Sequence, residues 1–461
     1  MAVMAAHYRA EWNARLQKAA QTTLRGKGIL CAYNALVDCQ VFPTAKQLQQ
    51  VFNETGEIPS KEPLLVRDEK SFAQALFHSF STGKASHVSL EKDFIKWLAR
   101  RFPNHRKRLG GQAGIIASQM AQLGATSVLY SPKRPREVFG LAHPKTLFPM
   151  ARKHRLVLVP VRKAARAGDA PKTNWVFEFT RGQKITANNR KTVAPRSNRL
   201  ILSTPFEGAL EFEASLKPLL PQLGERLCCA MLAGHHYLNK GFAHYVAEEG
   251  RAVTALKKRN SGLRIHFEYV PFEHKEVERA IMKHVTENVD SLGLNEVEII
   301  ELCEKLGLRK QANAVRKRDD AFNLYLGARA LLEKLRMQRI HVHAPGFHVL
   351  VLRKPYPVPL EKVRNAILFS SIAATAKAAL GREITAKELT HSLSTPLSQD
   401  GFSEMDSFAR KAGLGKEFLC EGWADFGTHY AMIIPGQFAP ARRGTVGLGD
   451  VVSSCSFLAE A

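Results

Sequence analysis

The sequence predicts an α/β protein with an open, mostly parallel sheet flanked by helices and a smaller polar unit laid over it. Three observations carry this prediction: short apolar, β-rich runs recur along the chain, helical patterns separate most of them, and two polar insertions interrupt the alternation. Strand and helix taken in turn build a parallel sheet, because each crossover returns the chain to the same end.

Met1 to Arg25 reads as a first helix. Arg9, Glu11, Arg15 and Lys18 break its pattern, so it lacks the apolar run of a secretory leader, while Trp12 and Leu16 share one face. Gly28-Ile-Leu-Cys-Ala-Tyr33 is the first strand. A polar insertion from Pro43 to Arg101 precedes the Gly110-Gly111 segment, and Gly114 to Leu123 is helical. Ser127 to Tyr130 and Leu156 to Pro160 are strands. Arg162 to Arg199 is polar and basic, with a strand-like core Asn174-Trp-Val-Phe-Glu-Phe179 and a turn at Arg181-Gly-Gln, which predicts an antiparallel hairpin. Leu200 to Leu202, Cys228 to Leu232 and Leu263 to Glu268 read as strands, Glu273 to Asn288 as a helix, and His341 and His343 alternate on a strand. The two insertions are expected to pack together as a lid over the carboxyl edge of the sheet, where ligands bind in open α/β folds.

With 461 residues, 45% hydrophobic and 24% charged, the chain can bury a large core in more than one lobe. No run of about 18 apolar residues predicts a membrane span. The seven cysteines, at 31, 39, 228, 229, 303, 420 and 455, form no CxxC pair, which suits reduced thiols in a cytoplasmic protein. Neither His235-His236 nor His341 with His343 has a companion at zinc-site spacing. The formal charge of +25 gathers at Arg106–Arg108, Lys133–Arg136, Arg152–Arg155, Lys257–Arg259 and Arg316–Arg318. Such charge draws polyanions nonspecifically. No nucleic-acid recognition module accompanies it, and a phosphorylated substrate is another reading of the same charge.

Chemistry concentrates near the C-terminus, in Gly444-Thr-Val-Gly447-Leu-Gly449-Asp450 followed by Val-Val-Ser-Ser-Cys-Ser-Phe457. Successive glycines let backbone N–H groups converge on an anion, and the helix that follows adds its positive end. An aspartate there repels that anion unless it serves as a base or a metal partner, so the pattern suggests phosphoryl transfer with Asp450 deprotonating an alcohol. A glycine-capped loop with an aspartate cap is the plainer alternative. Asn295 and Glu298, read on a helix, share a face and suit a water-coordinated magnesium ion; a capped helix start with exposed acids also fits. His266 and Glu268, two apart on a strand, project to one side, as would a polar edge of a half-buried strand. Together they supply metal ligands, an anion nest and a base.

Further segments complete a longer pattern: Ile29-Leu-Cys-Ala-Tyr-Asn34 through Val37-Asp38, Arg108-Leu-Gly-Gly-Gln-Ala-Gly-Ile-Ile-Ala117, Trp175 to Phe179, Ala194-Pro-Arg-Ser-Asn-Arg199, Ala233-Gly-His-His236 and Ile340-His-Val-His343. In this order, with His266-Phe-Glu268, Gly293 to Glu298 and Gly447 to Asp450, they resemble the ADP-dependent glucokinase and phosphofructokinase family of the ribokinase-like superfamily. The resemblance implies a three-layer α/β/α core and a smaller α+β lid. The large domain would take residues 1–38, 105–160 and 200–461, and the lid residues 39–104 and 161–199. It implies Asp450 as base, with Gly447 and Gly449 presenting N–H groups to the phosphoryl. Glu268 and Glu298 would hold magnesium through water, with Asn295 nearby. Asn34, Asp38, Gly110, Gly111 and Gln112 would line the sugar site with His87, Arg196 and Arg199. His343, Val446 and Gly449 would lie on the nucleotide side with Asn295, and His348 or Phe347 would stack there.

Two features bear on the acceptor. Members of the family carry a glutamate in contact with the sugar where this chain has Ser86-His87. The second insertion crowds Lys163, Arg166, Lys172, Arg181, Arg190, Lys191, Arg196 and Arg199, donors that a phosphorylated sugar needs. The implied activity is transfer of the β-phosphoryl of ADP, with Mg2+, to fructose 6-phosphate slightly before glucose, by a monomer or small homo-oligomer. Another acceptor, or a silent binding protein on the same fold, are the alternatives.

Overall fold

A computed structural model describes residues 2–55, 61–83, 86–187, 190–206, 208–239, 241, 245–439, 444 and 446–461. Thr445 of the C-terminal glycine motif, Lys84 and the side chain of Arg190 lie outside the described residues.

The larger sheet has 11 strands. Their spatial order is Trp423–Asp425, His429–Pro435, Phe347–Arg353, Arg339–Ala344, Ser291–Asn295, Arg264–Glu268, Cys229–Ala233, Gly28–Tyr33, Thr126–Tyr130, Leu147–Arg152 and Arg155–Pro160. From Arg339–Ala344 to Leu147–Arg152 every neighbouring pair is parallel, and antiparallel strands close both edges. Gly28–Tyr33 is buried along its whole length, as a central strand covered on both faces must be. The α/β reading therefore holds. The first helix, Ala2–Ala19, buries Trp12 and Leu16, and Trp12 Nε1 donates to Leu419 O at 2.9 Å. Among the described residues no helix is long and apolar enough to cross a membrane.

Both insertions contribute to a second, six-stranded mixed sheet, in the order Leu65–Val66, Ser86–Leu90, Asn198–Ser203, Thr173–Phe179, Leu36–Val41 and Arg106–Gly110. Its strands sort their side chains by the two-residue period. Val37, Cys39, Trp175, Phe177, Leu200 and Leu202 are buried on one face. Helix Glu69–Thr82 covers that face, with Phe72 against Phe177 at 5.1 Å and Phe80 against Phe179 at 5.5 Å between centroids. The alternate residues, Asp38, Gln40, Asn174, Glu178, Arg199 and Ser203, stand on the opposite face, in register across three strands.

One sequence expectation changes here. The core Asn174–Phe179 does not close its own hairpin at Arg181-Gly-Gln. Strand Thr173–Phe179 pairs antiparallel with Asn198–Ser203, and the turn instead leads into a separate two-stranded ribbon, Lys184–Ala187 with Arg190–Val193. The boundaries expected at residues 38, 105 and 200 fall within or beside strands of the smaller sheet, since Leu36–Val41, Arg106–Gly110 and Asn198–Ser203 all belong to it.

Candidate active site

The C-terminal motif folds as a glycine turn into a helix. Gly447 takes φ 71°, a left-handed backbone that glycine adopts without strain, and helix Leu448–Glu460 begins at the next residue with Asp450 in its first turn. A Cβ at Gly447 would fall 2.8 Å from Ile115 Cγ2, and one at Gly449 2.6 Å from His343 Nε2, so side chains are excluded where an anion would meet the helix N–H groups. Burial, then the Glu268 charge, pushes the Asp450 carboxyl up to about 7; a hydrogen bond with Gln112 and the cations of Lys377 and Arg199 oppose that rise.

His266 and Glu268 share one side of their strand, as predicted, with His266 Nε2 2.9 Å from Glu268 Oε2. They are not an exposed edge: His266 is 0% and Glu268 5% accessible. Gly293 on the next strand makes room, since its Cβ would meet Glu268 Oε2 at 2.4 Å. The placement of Asn295 on a helix is corrected. Asn295 ends strand Ser291–Asn295 and Glu298 begins helix Glu298–Lys305. They still converge, because the turn folds each side chain onto the other's backbone: Asn295 N–H donates to Glu298 Oε2 at 2.7 Å, and Asn295 Oδ1 accepts from Glu298 N–H at 2.9 Å.

The buried carboxylates resist ionisation together. Glu268 is pushed up to about 7 by burial. Glu298 is raised by burial first and then by the charges of Glu268, Glu296 and Asp450. Such mutual repulsion is what a divalent cation relieves. Among the described residues no three His, Cys, Asp or Glu side chains converge to ligate a metal directly.

On the smaller sheet, burial pushes Asp38 up to about 7, against a 3.1 Å hydrogen bond from Asn174 Nδ2. Gly110 lies against this carboxyl; a Cβ there would stand 2.3 Å from Asp38 Cγ. Gly111, at φ 77°, passes over the Asn34 backbone, and Asn34 Oδ1 accepts from Ala113 N–H at 2.9 Å. Asn34 Nδ2 and Gln112 Oε1 are buried without a protein partner. Lys172 Nζ donates to Ser203 Oγ at 2.6 Å and to Thr204 O, and lies 4.2 Å from the Tyr237 ring centroid. Burial lowers its ammonium to about 7. His87 opens onto the same space, with His236 6.2 Å and Tyr237 6.1 Å away between centroids. Desolvation and the Lys172 and Arg199 cations hold it neutral, at about 4. Arg199, on the same polar face opposite Glu178, adds a positive charge that acts to lower the pKa of Asp38, His87 and Asp450.

Not every expected residue joins this cluster. Arg196 is exposed and donates to Gly83 O, although its charge reaches Glu296 beside Asn295. His348 is buried against His341, with His341 Nε2 3.3 Å from His348 Nδ1, and Phe347 is buried beside it, so neither ring stands open for stacking. His343 adjoins Gly449 and keeps a buried, unpartnered Nδ1. Val446 borders the cleft with Asp38, Gln40, Arg108 and Lys377. Lys377 and Asn174 escaped the sequence reading. For Asn174 a signal existed, since a polar residue opening a buried alternating strand points to a polar face.

A carboxyl raised toward neutrality in the first turn of a helix that opens on a glycine turn suits phosphoryl transfer to an alcohol, and the α/β frame around it is that of a kinase. The comparisons agree. The chain belongs to the ADP-specific phosphofructokinase/glucokinase family, whose conserved region matches residues 27–459. It is 30% identical to the ADP-specific phosphofructokinase of Methanosarcina acetivorans, covering 94% of this chain and 92% of that protein. To the ADP-specific phosphofructokinase of Pyrococcus furiosus it is 28% identical, over 94% and 97%. A solved ADP-dependent kinase in complex with fructose 6-phosphate and ADPβS superposes with a TM-score of 0.85 at 28% identity, covering 98% of this chain and 97% of that one.

Proposed function

We propose that this protein transfers the β-phosphoryl of ADP to a hydroxyl of fructose 6-phosphate, releasing AMP. The observation that carries the choice of acceptor is the placement of Lys172 and Arg199 beside Asp38, on the polar face that looks across the cleft to Asp450. Cations set there suit a sugar phosphate better than a neutral hexose. Asp38, Asn34 and the Gly110-Gly111 backbone hold sugar hydroxyls, with His87 at the phosphate end. Asp450 takes the proton of the attacking hydroxyl, and Gln112 orients it. The N–H groups at Gly447 and Gly449 receive charge on the transferring oxygens, as fixed donors must if they are to lower the barrier. His343 and Val446 flank the nucleotide. Glu268 and Glu298 would hold a magnesium ion through water; when bound, it neutralises charge on the phosphoryl oxygens.

In this reading the smaller sheet is a lid, and the chain divides within residues 36–110 and 173–203, where its strands lie. The seven free cysteines support a cytoplasmic setting. The test compares ADP with ATP on fructose 6-phosphate and glucose in one assay, with Asp450→Asn alongside. Expected are turnover with ADP and fructose 6-phosphate, and a loss of about 10²–10⁴-fold in kcat for the variant. Preference for ATP, or a variant within a few-fold of wild type, would overturn the assignment.

A further inference from the structure

Arg339, Ser291 and His266 stand in register on three neighbouring parallel strands, so their side chains form one row on one sheet face. Helix Leu448–Glu460 lies against that row and sends Ser453, Ser456 and Glu460 into it. Every member is buried, none above 5% accessible.

The hydrogen bonds run in one direction. Glu460 accepts from Arg339 Nε at 3.1 Å, from Arg264 at 3.1 Å and from the Tyr356 hydroxyl at 2.8 Å. A guanidinium only donates, so the 3.1 Å contact from Arg339 makes Ser291 Oγ an acceptor. Ser291 keeps one proton of its own, and its other side-chain partner among the described residues is His266 Nδ1, at 2.8 Å. A proton on Nδ1 would leave the serine proton buried without an acceptor, a costly arrangement. Nδ1 therefore accepts and the ring proton sits on Nε2, from which it is donated to Glu268 Oε2 at 2.9 Å. Ser453 Oγ donates to the other carboxylate oxygen at 3.2 Å.

We infer that Ser291 is a positioning residue: by donating to Nδ1 it anchors the His266 ring in its Nε2–H tautomer, and that N–H holds Glu268 in one orientation. The inference rests on the proposed function only for the purpose of Glu268, as a carboxylate that holds a cation. The tautomer itself does not depend on that reading.

The test uses full-length protein labelled with 15N-histidine. A long-range 1H–15N spectrum reports the ring tautomer, with His266 assigned by the signal lost in His266→Gln. Wild type is expected to show Nε2–H. Ser291→Ala removes the proton donated to Nδ1 and leaves Glu268 alone to hold the tautomer, so Nε2–H should persist while the Nδ1 resonance moves downfield, as an imidazole nitrogen that has lost its hydrogen bond does. Mn2+ binding in the presence of ADP, followed by electron paramagnetic resonance, should weaken roughly ten-fold, the loss typical when a ligand's hydrogen-bond partner is removed. Nδ1–H in the wild type, or Ser291→Ala retaining both the wild-type Nδ1 resonance and wild-type Mn2+ affinity, overturns the inference. A folded wild type without ADP-dependent turnover would instead overturn the proposed function and leave the tautomer result standing.

Discussion

Replacing Lys172 by glutamine tests how the cleft chooses its acceptor. The ammonium is held by Ser203 Oγ at 2.6 Å and by Thr204 O, and stands over Tyr237, so it is already placed and desolvated before substrate arrives. A charge-assisted hydrogen bond to phosphate is worth about 1.5–3 kcal/mol, which converts to roughly 10- to 150-fold in kcat/KM. Glutamine keeps a donor on a slightly shorter side chain and loses the charge, so the loss should appear with fructose 6-phosphate and be within about three-fold for glucose, whose hydroxyls would meet Asp38 and Asn34. The assay is AMP release with each acceptor at subsaturating concentration and saturating ADP. Equal losses on both acceptors would mean that Lys172 supports the Asp38–Asn174 cluster and not the phosphate. No loss on either would remove it from the site.

Three further outcomes follow from the same geometry. In the free enzyme kcat/KM should fall about ten-fold per unit below a pH near 7, because the base is active only when ionised and Asp450 holds its proton up to about 7; a profile flat to pH 5.5 would refute this. The folded state binds that proton where the unfolded state, at 3.8, has released it, so wild-type stability declines as pH rises from about 4 to about 7. Asp450→Asn removes this residue's share of the decline, leaving those of Asp38 and Glu268, and its Tm advantage over wild type should grow between pH 5 and pH 7. Gly293→Ala forces a methyl within 2.4 Å of Glu268 Oε2 and should cost about 1–3 kcal/mol in urea unfolding; unchanged stability would mean that the strands yield freely there.

Much of the fold was legible because it is written in local periods. Gly28–Tyr33 is an apolar run and Arg264–Glu268 alternates polar with apolar residues, and both are strands of the larger sheet. The C-terminal glycine turn was legible for the same reason, since φ 71° at Gly447 is a local demand that only glycine meets cheaply. What local pattern could not supply was pairing between distant segments. Nothing near Leu200 says that its strand joins the smaller sheet, because its partners are Phe177 and Ser86. Asn295 looked helical because Glu298 follows at helical spacing, yet parallel pairing with Arg339–Ala344 draws it into a strand. Among the basic residues crowded into the second insertion, spacing gave no way to choose Lys172. Its distinction comes from Ser203 and Tyr237, which are remote in sequence and adjacent in space.

The sorting of the smaller sheet by alternate residues has an evolutionary consequence. Phe177 and Trp175 hold that sheet to its helices, while Asn174, Val176 and Glu178 between them face the cleft. Adjacent codons therefore answer to different selective pressures, one for folding and the next for ligand. Drift or selection can rewrite the cleft-facing alphabet at positions such as His87 and Arg199 without disturbing the apolar half that keeps the lid folded.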